Sequence, residues 1–406
     1  MKKIFLFILF VFIPFNVFSL EFPTVNSKKV EIYDLNDNKI LYKKSSQDKA
    51  SIASLTKIAT VITAIENIKD LNQQVVITGT ILNTVDPEAS KAGLRVGDEV
   101  TYKDLLYASM LPSGADATNS IAILSSGSVD KYVTKMNDLC KKVGLKNTNL
   151  VNATGLDINN HYSTADDVRK LLEYSLKNKT FREVFTAKEY TMSNGLILKS
   201  TLYKYRASNS AMNKIIGSKT GFTYAAGYCL ASLSNINGHE MITIVLNADK
   251  IGNTTYNITD TVKLIDFMSD NYKDEVLVEN NKLIKTLPVK LSKIDNYKIY
   301  SNKEIKKYLP SDYDPNKIEI KYDGLEELSF KNHKGDKIGT ISYYYDTDIL
   351  YKQKVVLNTE IKVSIVKIIK TYYILIISFI IIVILILYVL FKRKKNKKRK
   401  KIKKQV

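Results

Sequence analysis

Apolar and polar positions follow three successive rhythms along the chain. In KKVEIYDLNDNKILYKKS the period is two: Val30 to Leu35 and Ile40 to Lys43 flank the polar run Asn36-Asp37-Asn38, which predicts a β-hairpin. From Ser54 the period lengthens. Ile58, Val61, Ile62 and Ile65 stand at i, i+3, i+4 and i+7, the pattern of an amphipathic-to-buried helix. Thr101 and Asp104 have the spacing of a capping box and open a further helix over YKDLLYASML. Helical periods recur over Asp116 to Leu124, Val129 to Val143 and Ala165 to Leu176. The period of two then returns in EYTMSNGLILKS and GYCLASLSNINGHEMITIVLNAD. These read as hairpins on Asn194-Gly195 and Asn237-Gly238, since an Asn-Gly pair tolerates positive φ at both central positions. A last helix, about Asp260 to Tyr272, would pack back on that sheet. Strand hairpins around a helical middle make an α+β layer fold.

The third rhythm runs from about Glu275 to Leu357. Short alternating runs such as KIEIKY and KIGTISYYY are separated by Asn, Asp and Gly turns, with no helix longer than a turn or two, which predicts a small all-β domain. Tyr372 to Phe391 then holds twenty residues without a charge, enough to cross a bilayer core of ~30 Å. A Lys/Arg cluster follows it directly and places the tail inside the cell by the positive-inside rule. At the other end, MKKIFLFILFVFIPFNVFSLEF has a charged start, an interrupted apolar run, and small Val17 and Ser19 at −3 and −1 of a cleavage site, so a signal peptide cut after Ser19 is expected. The expected organisation is a signal peptide (1–19), an α+β domain (20–274), a β-rich domain (275–357), a juxtamembrane linker (358–371), a membrane span (372–391) and a basic cytoplasmic tail (392–406). The α+β and β-rich domains would then face outward.

Composition changes this picture little. The 406 residues carry a formal net charge of +20, which taken alone suggests nucleic acid. Eleven Lys and Arg lie in the tail KRKKNKKRKKIKKQV, however, with two more at Lys2 and Lys3. Without these thirteen about +7 remains over everything between, an ordinary surface that argues against a nucleic-acid partner. The tail is also suited to anionic lipid headgroups. Cys140 and Cys229 lie in apolar periodic segments of an outward-facing chain, so two buried thiols and one disulfide both fit. His161, His239 and His333 are far apart and carry no ligand spacing, which argues against a zinc peptidase.

The candidate chemistry begins with Ser-x-x-Lys. That spacing alone says little, since it occurs at Ser46/Lys49, Ser54/Lys57, Ser128/Lys131 and Ser364/Lys367. Only Ser54/Lys57 stands at the mouth of an expected buried helix, where i and i+3 share a face and the ammonium reaches the hydroxyl. A lysine desolvated there has its pKa lowered and serves as general base toward serine. The helix N-terminus adds a free backbone N–H beside the nucleophile, half of an oxyanion hole. Ser113-Gly114-Ala115 lies in a Pro/Gly loop between two helices. Lys219-Thr220-Gly221 occurs once, immediately before the long hairpin. There Lys219 supplies a fixed positive charge, Thr220 a hydroxyl, and Gly221 the close backbone approach that a substrate lying along a strand requires.

Ser-x-x-Lys, Ser-x-x and Lys-Thr-Gly in that order, separated by 59 and 106 residues, resemble the signature set of the penicillin-recognising serine enzymes. IASLTKIAT, GLRVGDEVTYKDLLYASMLPSGADA, LVNATGLDINNHYSTADDV and SKTGFTYAAGYCLAS further resemble the serine-type D-alanyl-D-alanine carboxypeptidases, the low-molecular-mass penicillin-binding proteins. The resemblance covers about residues 28–272, and KGDKIGTISYYYDTDIL is similar to the family's accessory β domain. It implies a β-lactamase/transpeptidase-like fold and an enzyme that removes the terminal D-alanine of peptidoglycan stem peptides, with β-lactams as covalent inhibitors and no metal or organic cofactor. It also implies roles. Ser54 would be the nucleophile, Lys57 its base, and Ser113 a proton relay to the leaving D-alanine. Lys219 and Thr220 would hold the substrate carboxylate beside Gly221, and the backbone N–H groups of Ser54 and Phe222 would form the oxyanion hole.

One position departs from the pattern: the second motif commonly ends in Asn, and here it is Ala115. The loss should weaken substrate binding unless Asp116 or Asn119 takes its place. His161, in the resembling segment, is read as a loop histidine with a local hydrogen bond. A class A β-lactamase would also want Glu-x-x-Leu-Asn between Ser113 and Lys219, and none is present. A D,D-endopeptidase or transpeptidase would use the same residues on another acceptor. A non-catalytic wall-binding protein with this fold is favoured only by Ala115.

Overall fold

A computed structural model describes residues 20–202 and 210–402. The expected signal peptide lies outside the described residues. The chain divides into two compact units, one running to Lys273 and taking in Pro310–Asp312, the other holding Asp274–Leu309 and Tyr313 onward.

The first unit is built on a five-stranded antiparallel sheet. Its strands are β1 (Lys29–Asp34), β2 (Lys39–Lys44), β3 (Ile215–Thr223), β4 (Gly227–Ile236) and β5 (His239–Ala248), in the order β2-β1-β5-β4-β3. β4 and β5 each bury six consecutive residues, so both faces of the sheet centre are covered. Their turn falls on Asn237 and Gly238, at φ of 53° and 91°, the left-handed pair that suits the twist of a two-residue hairpin.

The longer helices are α1 (Thr56–Asn67), α2 (Tyr102–Met110), α3 (Ala115–Ser126), α4 (Val129–Val143), α5 (Ala165–Leu176) and α6 (Tyr256–Asn271). In α1 every residue from Thr56 to Ala64 is buried, as expected of a helix apolar on nearly all sides. The capping box of α2 forms: the Asp104 N–H donates to Thr101 Oγ1 and the Thr101 N–H to Asp104 Oδ2. α6 starts four residues earlier than Asp260. Its Tyr256-Asn257 opening reads as a turn, but Asn257 is buried and donates to the Cys229 carbonyl at 3.1 Å. Lys179–Thr186 is a further short helix that the sequence reading passed over. Cys140 and Cys229 are both free and buried.

The second unit is strand-rich. Ile318–Gly324, Lys337–Tyr345 and Asp348–Val356 form an antiparallel sheet, and Leu283–Lys290 lies between Asn296–Tyr300 and Leu328–Ser329 in another. Leu287, Ile299, Ile338, Ile341 and Tyr343 are part of its own core. The helix Ile365–Ile402 takes up half of the expected linker, and it contains a stretch long and apolar enough to cross a membrane.

Candidate active site

The site is assembled from three places in the first unit. Ser54 lies in the 3-10 turn Ala53–Leu55 that leads into α1. Ser113 lies in the loop between α2 and α3. Lys219, Thr220 and Gly221 lie within β3, the strand that runs directly into the β4–β5 hairpin. The segment IIGSKTGFT alternates buried and less buried positions through the motif, so Lys219 and Gly221 share the inner side and Thr220 the other. β3 is the end strand of the sheet, so an edge of its backbone is available to an extended peptide.

The three places meet at one cleft of about 340 Å³, lined by Ser54, Lys57, Ser113, Thr220, Gly221 and Phe222. Lys57 Nζ donates to Ser54 Oγ at 3.0 Å and to the Thr154 carbonyl at 2.7 Å. Lys219 is buried behind the cleft wall, where its Nζ donates to Ser113 Oγ at 3.0 Å and to the Thr220 carbonyl at 2.7 Å. The Thr220 hydroxyl pairs with that of Thr201 at 2.6 Å. Gly221 runs hard against the nucleophile turn: a Cβ there would lie 3.1 Å from both the Ser54 nitrogen and Ala53 Cβ. Phe222 is half exposed and packs against Tyr228, a second aromatic of the cleft wall, with ring centroids 4.4 Å apart and planes tilted by 33°.

Electrostatics mark the same atoms. Burial pushes Lys57 down to about 7, with the Asp116 carboxylate pulling partly the other way. Burial holds Lys219 well below the ordinary lysine range, and the neighbouring Lys57 adds to the effect. Two residues that are not glycine adopt left-handed backbone here, Ala53 at φ 46° and Ser113 at φ 64°. Such conformations cost of order 1–3 kcal/mol and gather at functional sites.

The neighbours of Ala115 do not replace the missing amide. Asp116 accepts the backbone N–H groups of Ala92, Gly93 and Leu94 at 2.8, 3.0 and 3.1 Å, and Asn119 donates to Thr84. Both are occupied in holding the loop ahead of α2. Sequence reasoning gave no role to Thr154, whose carbonyl acts, or to Gly155, which packs on the nucleophile turn. Backbone acceptors have no side-chain signature, and the one available signal was the glycine in NATGLD. Among the described residues no group of three or more His, Cys, Asp or Glu side chains stands close enough to hold a metal ion.

Residues 16–250 match the peptidase family described as D-alanyl-D-alanine carboxypeptidase. The chain belongs to that family. It is similar to the D-alanyl-D-alanine carboxypeptidase DacF of Bacillus subtilis, 27% identical over 346 residues that cover 83% of this chain and 86% of the relative. It also resembles the D-alanyl-D-alanine endopeptidase of Escherichia coli, 29% identical over 232 residues, covering 56% and 73%. Among solved structures, penicillin binding protein 5 from Haemophilus influenzae superposes with a TM-score of 0.63 at 23% identity, covering 85% of this chain and all of that one, a likeness in fold. The resemblance read from the motifs and the α+β fold class are thus both borne out.

Proposed function

We propose that this chain is a membrane-anchored serine D-alanyl-D-alanine carboxypeptidase acting through an acyl-enzyme on Ser54. The observation that carries this reading is the 3.0 Å contact between Ser54 Oγ and a Lys57 amine pushed down to about 7. As a cation Lys57 donates to both Ser54 and the Thr154 carbonyl. As a neutral amine it keeps one donation to Thr154 and turns its lone pair to the serine proton, which makes it the general base.

Ser54 Oγ attacks the carbonyl of the penultimate D-alanine. As the C=O bond opens, negative charge develops on the substrate's carbonyl oxygen, which the backbone N–H groups of Ser54 and Phe222 receive, as the close approach of Gly221 to the Ser54 nitrogen favours. The proton passes through Ser113 to the leaving D-alanine. Among the described residues Lys219 has no anionic partner at hydrogen-bond distance, and a substrate's terminal carboxylate would supply one, with Thr220 beside it. Water then hydrolyses the ester. The peptide lies along the free edge of β3. The same residues would act on a cross-link, and the likeness to an endopeptidase makes that the second reading. The helix Ile365–Ile402 would span the membrane with the basic tail inside and the cleft outside.

The test is acylation of the full-length, detergent-solubilised protein by a penicillin, followed by mass mapping. An adduct on the peptide containing Ser54 that disappears in Ser54→Ala is expected. An adduct elsewhere, or none, contradicts the reading.

A further inference from the structure

His161 belongs to none of the three motifs, yet it is 4% exposed behind the nucleophile turn and its ring joins two backbone segments. The Val151 N–H donates to its Nδ1 at 3.1 Å. A ring nitrogen that accepts carries no proton, so Nε2 bears the hydrogen. Nε2 lies 2.8 Å from Thr56 Oγ1, and Thr56 Oγ1 donates to the Ala53 carbonyl at 2.9 Å. With its single proton directed at Ala53, the Thr56 hydroxyl accepts from Nε2–H. Every donor therefore points the same way: Val151 N–H to imidazole, imidazole N–H to hydroxyl, hydroxyl to the Ala53 carbonyl. Burial pushes the imidazole down to about 4, with Asp157 opposing, so at neutral pH it has the one proton this line needs.

Both ends of the line matter to the chemistry. Ala53 holds its left-handed conformation immediately before Ser54, and its carbonyl packs where any Cβ on Gly155 would collide with it. The segment 151–155 presents the Thr154 carbonyl to Lys57 and the Ala153 carbonyl to Thr60 Oγ1, each at 2.7 Å. His161 does not line the cleft. We propose that His161 is a positioning residue which, through Thr56, locks the Ser54 turn and the Lys57 acceptor loop in one register, setting the Ser54–Lys57 contact before substrate arrives. The inference rests on Ser54 being the nucleophile.

The experiment is stopped-flow acylation of the full chain by a fluorescent penicillin, resolving the pre-acylation dissociation constant from the acylation rate constant. A misplaced nucleophile costs up to about a hundredfold, so His161→Phe and Thr56→Val should each lower the acylation rate constant about 10- to 100-fold and leave the dissociation constant within about threefold. Thr56→Ser keeps the hydroxyl and should stay near the parent. The double variant His161→Phe/Thr56→Val should be no slower than the slower single one, because both cut the same line. If His161→Phe does not fold, Thr56→Val against Thr56→Ser decides alone. Parental acylation rates in Thr56→Val, or effects that multiply in the double variant, overturn the positioning role. A parent that is not acylated overturns the nucleophile reading and this inference with it.

Discussion

The same four-residue spacing has two fates in this molecule. At Ser128-x-x-Lys131 the serine stands at the N-cap of α4 in extended backbone, φ −159°, and its hydroxyl accepts the Lys131 backbone N–H at 3.2 Å. The Lys131 side chain is exposed. At Ser54-x-x-Lys57 the serine sits inside a 3-10 turn one step before α1, and no side-chain cap bond forms there. Its hydroxyl meets the Lys57 ammonium instead, and Lys57 is 2% exposed. Where the serine stands relative to the helix start decides whether its hydroxyl serves the backbone or a side chain. Burial of the helix then decides whether the lysine is a solvated cation or a base.

The largest expected break in this comparison comes from the lysines. Lys57→Ala should cut acylation by about a hundred- to ten-thousand-fold, the range for loss of a general base, whereas Lys131→Ala should leave it unchanged. Equal effects in an acylation assay would erase the distinction. Next in size is a pH effect on stability confined to the Ser54 side. The unfolded chain protonates His161 near its usual 6.5 and the folded chain only near 4, so the unfolded state binds more protons in that window. The contribution of His161 to stability is complete above pH 6.5 and is lost as the pH drops toward 4, about 3 kcal/mol at ~1.4 kcal/mol per unit. Denaturant melts of parent and His161→Phe between pH 4 and 7 measure it, and parallel curves would refute it.

Smaller again is the dependence of acylation on pH. Lys57 acts as a neutral amine and titrates near 7, so the rate should rise about tenfold per unit up to that point and level above it. A profile flat from pH 5 to 8 would remove Lys57 from the base role. The smallest effect belongs to the cap. Ser128→Ala should cost about 1 kcal/mol of stability in urea melts with acylation untouched. No loss of stability would mean that the cap bond carries nothing.

Much of the fold was legible because its signals are local. The Thr101/Asp104 capping box, the Asn237-Gly238 turn and the apolar run of α1 each state their conformation within a few residues. Lys219-Thr220-Gly221 reads as a motif just ahead of the β4–β5 hairpin, and it is itself part of the edge strand paired with β4. Lysine and two nearby glycines weaken the intrinsic strand preference of this segment, and pairing with β4 along Gly217–Thr223 overrides that. The supporting layer of the site was least legible. The Thr154 and Ala153 carbonyls act through backbone atoms, and His161 reaches Thr56 across 105 positions, so neither leaves a spacing to read. The missing amide at Ala115 was visible as a departure, but the occupation of Asp116 by three backbone N–H groups was not.

The most direct test of the central claim is release of D-alanine from a pentapeptide ending in D-alanyl-D-alanine, measured on the full-length protein beside Ser54→Ala. Release by the parent that vanishes with Ser54 is the predicted result and would show that Ala115 is tolerated. Release that survives in Ser54→Ala, or its absence in both, would contradict the account.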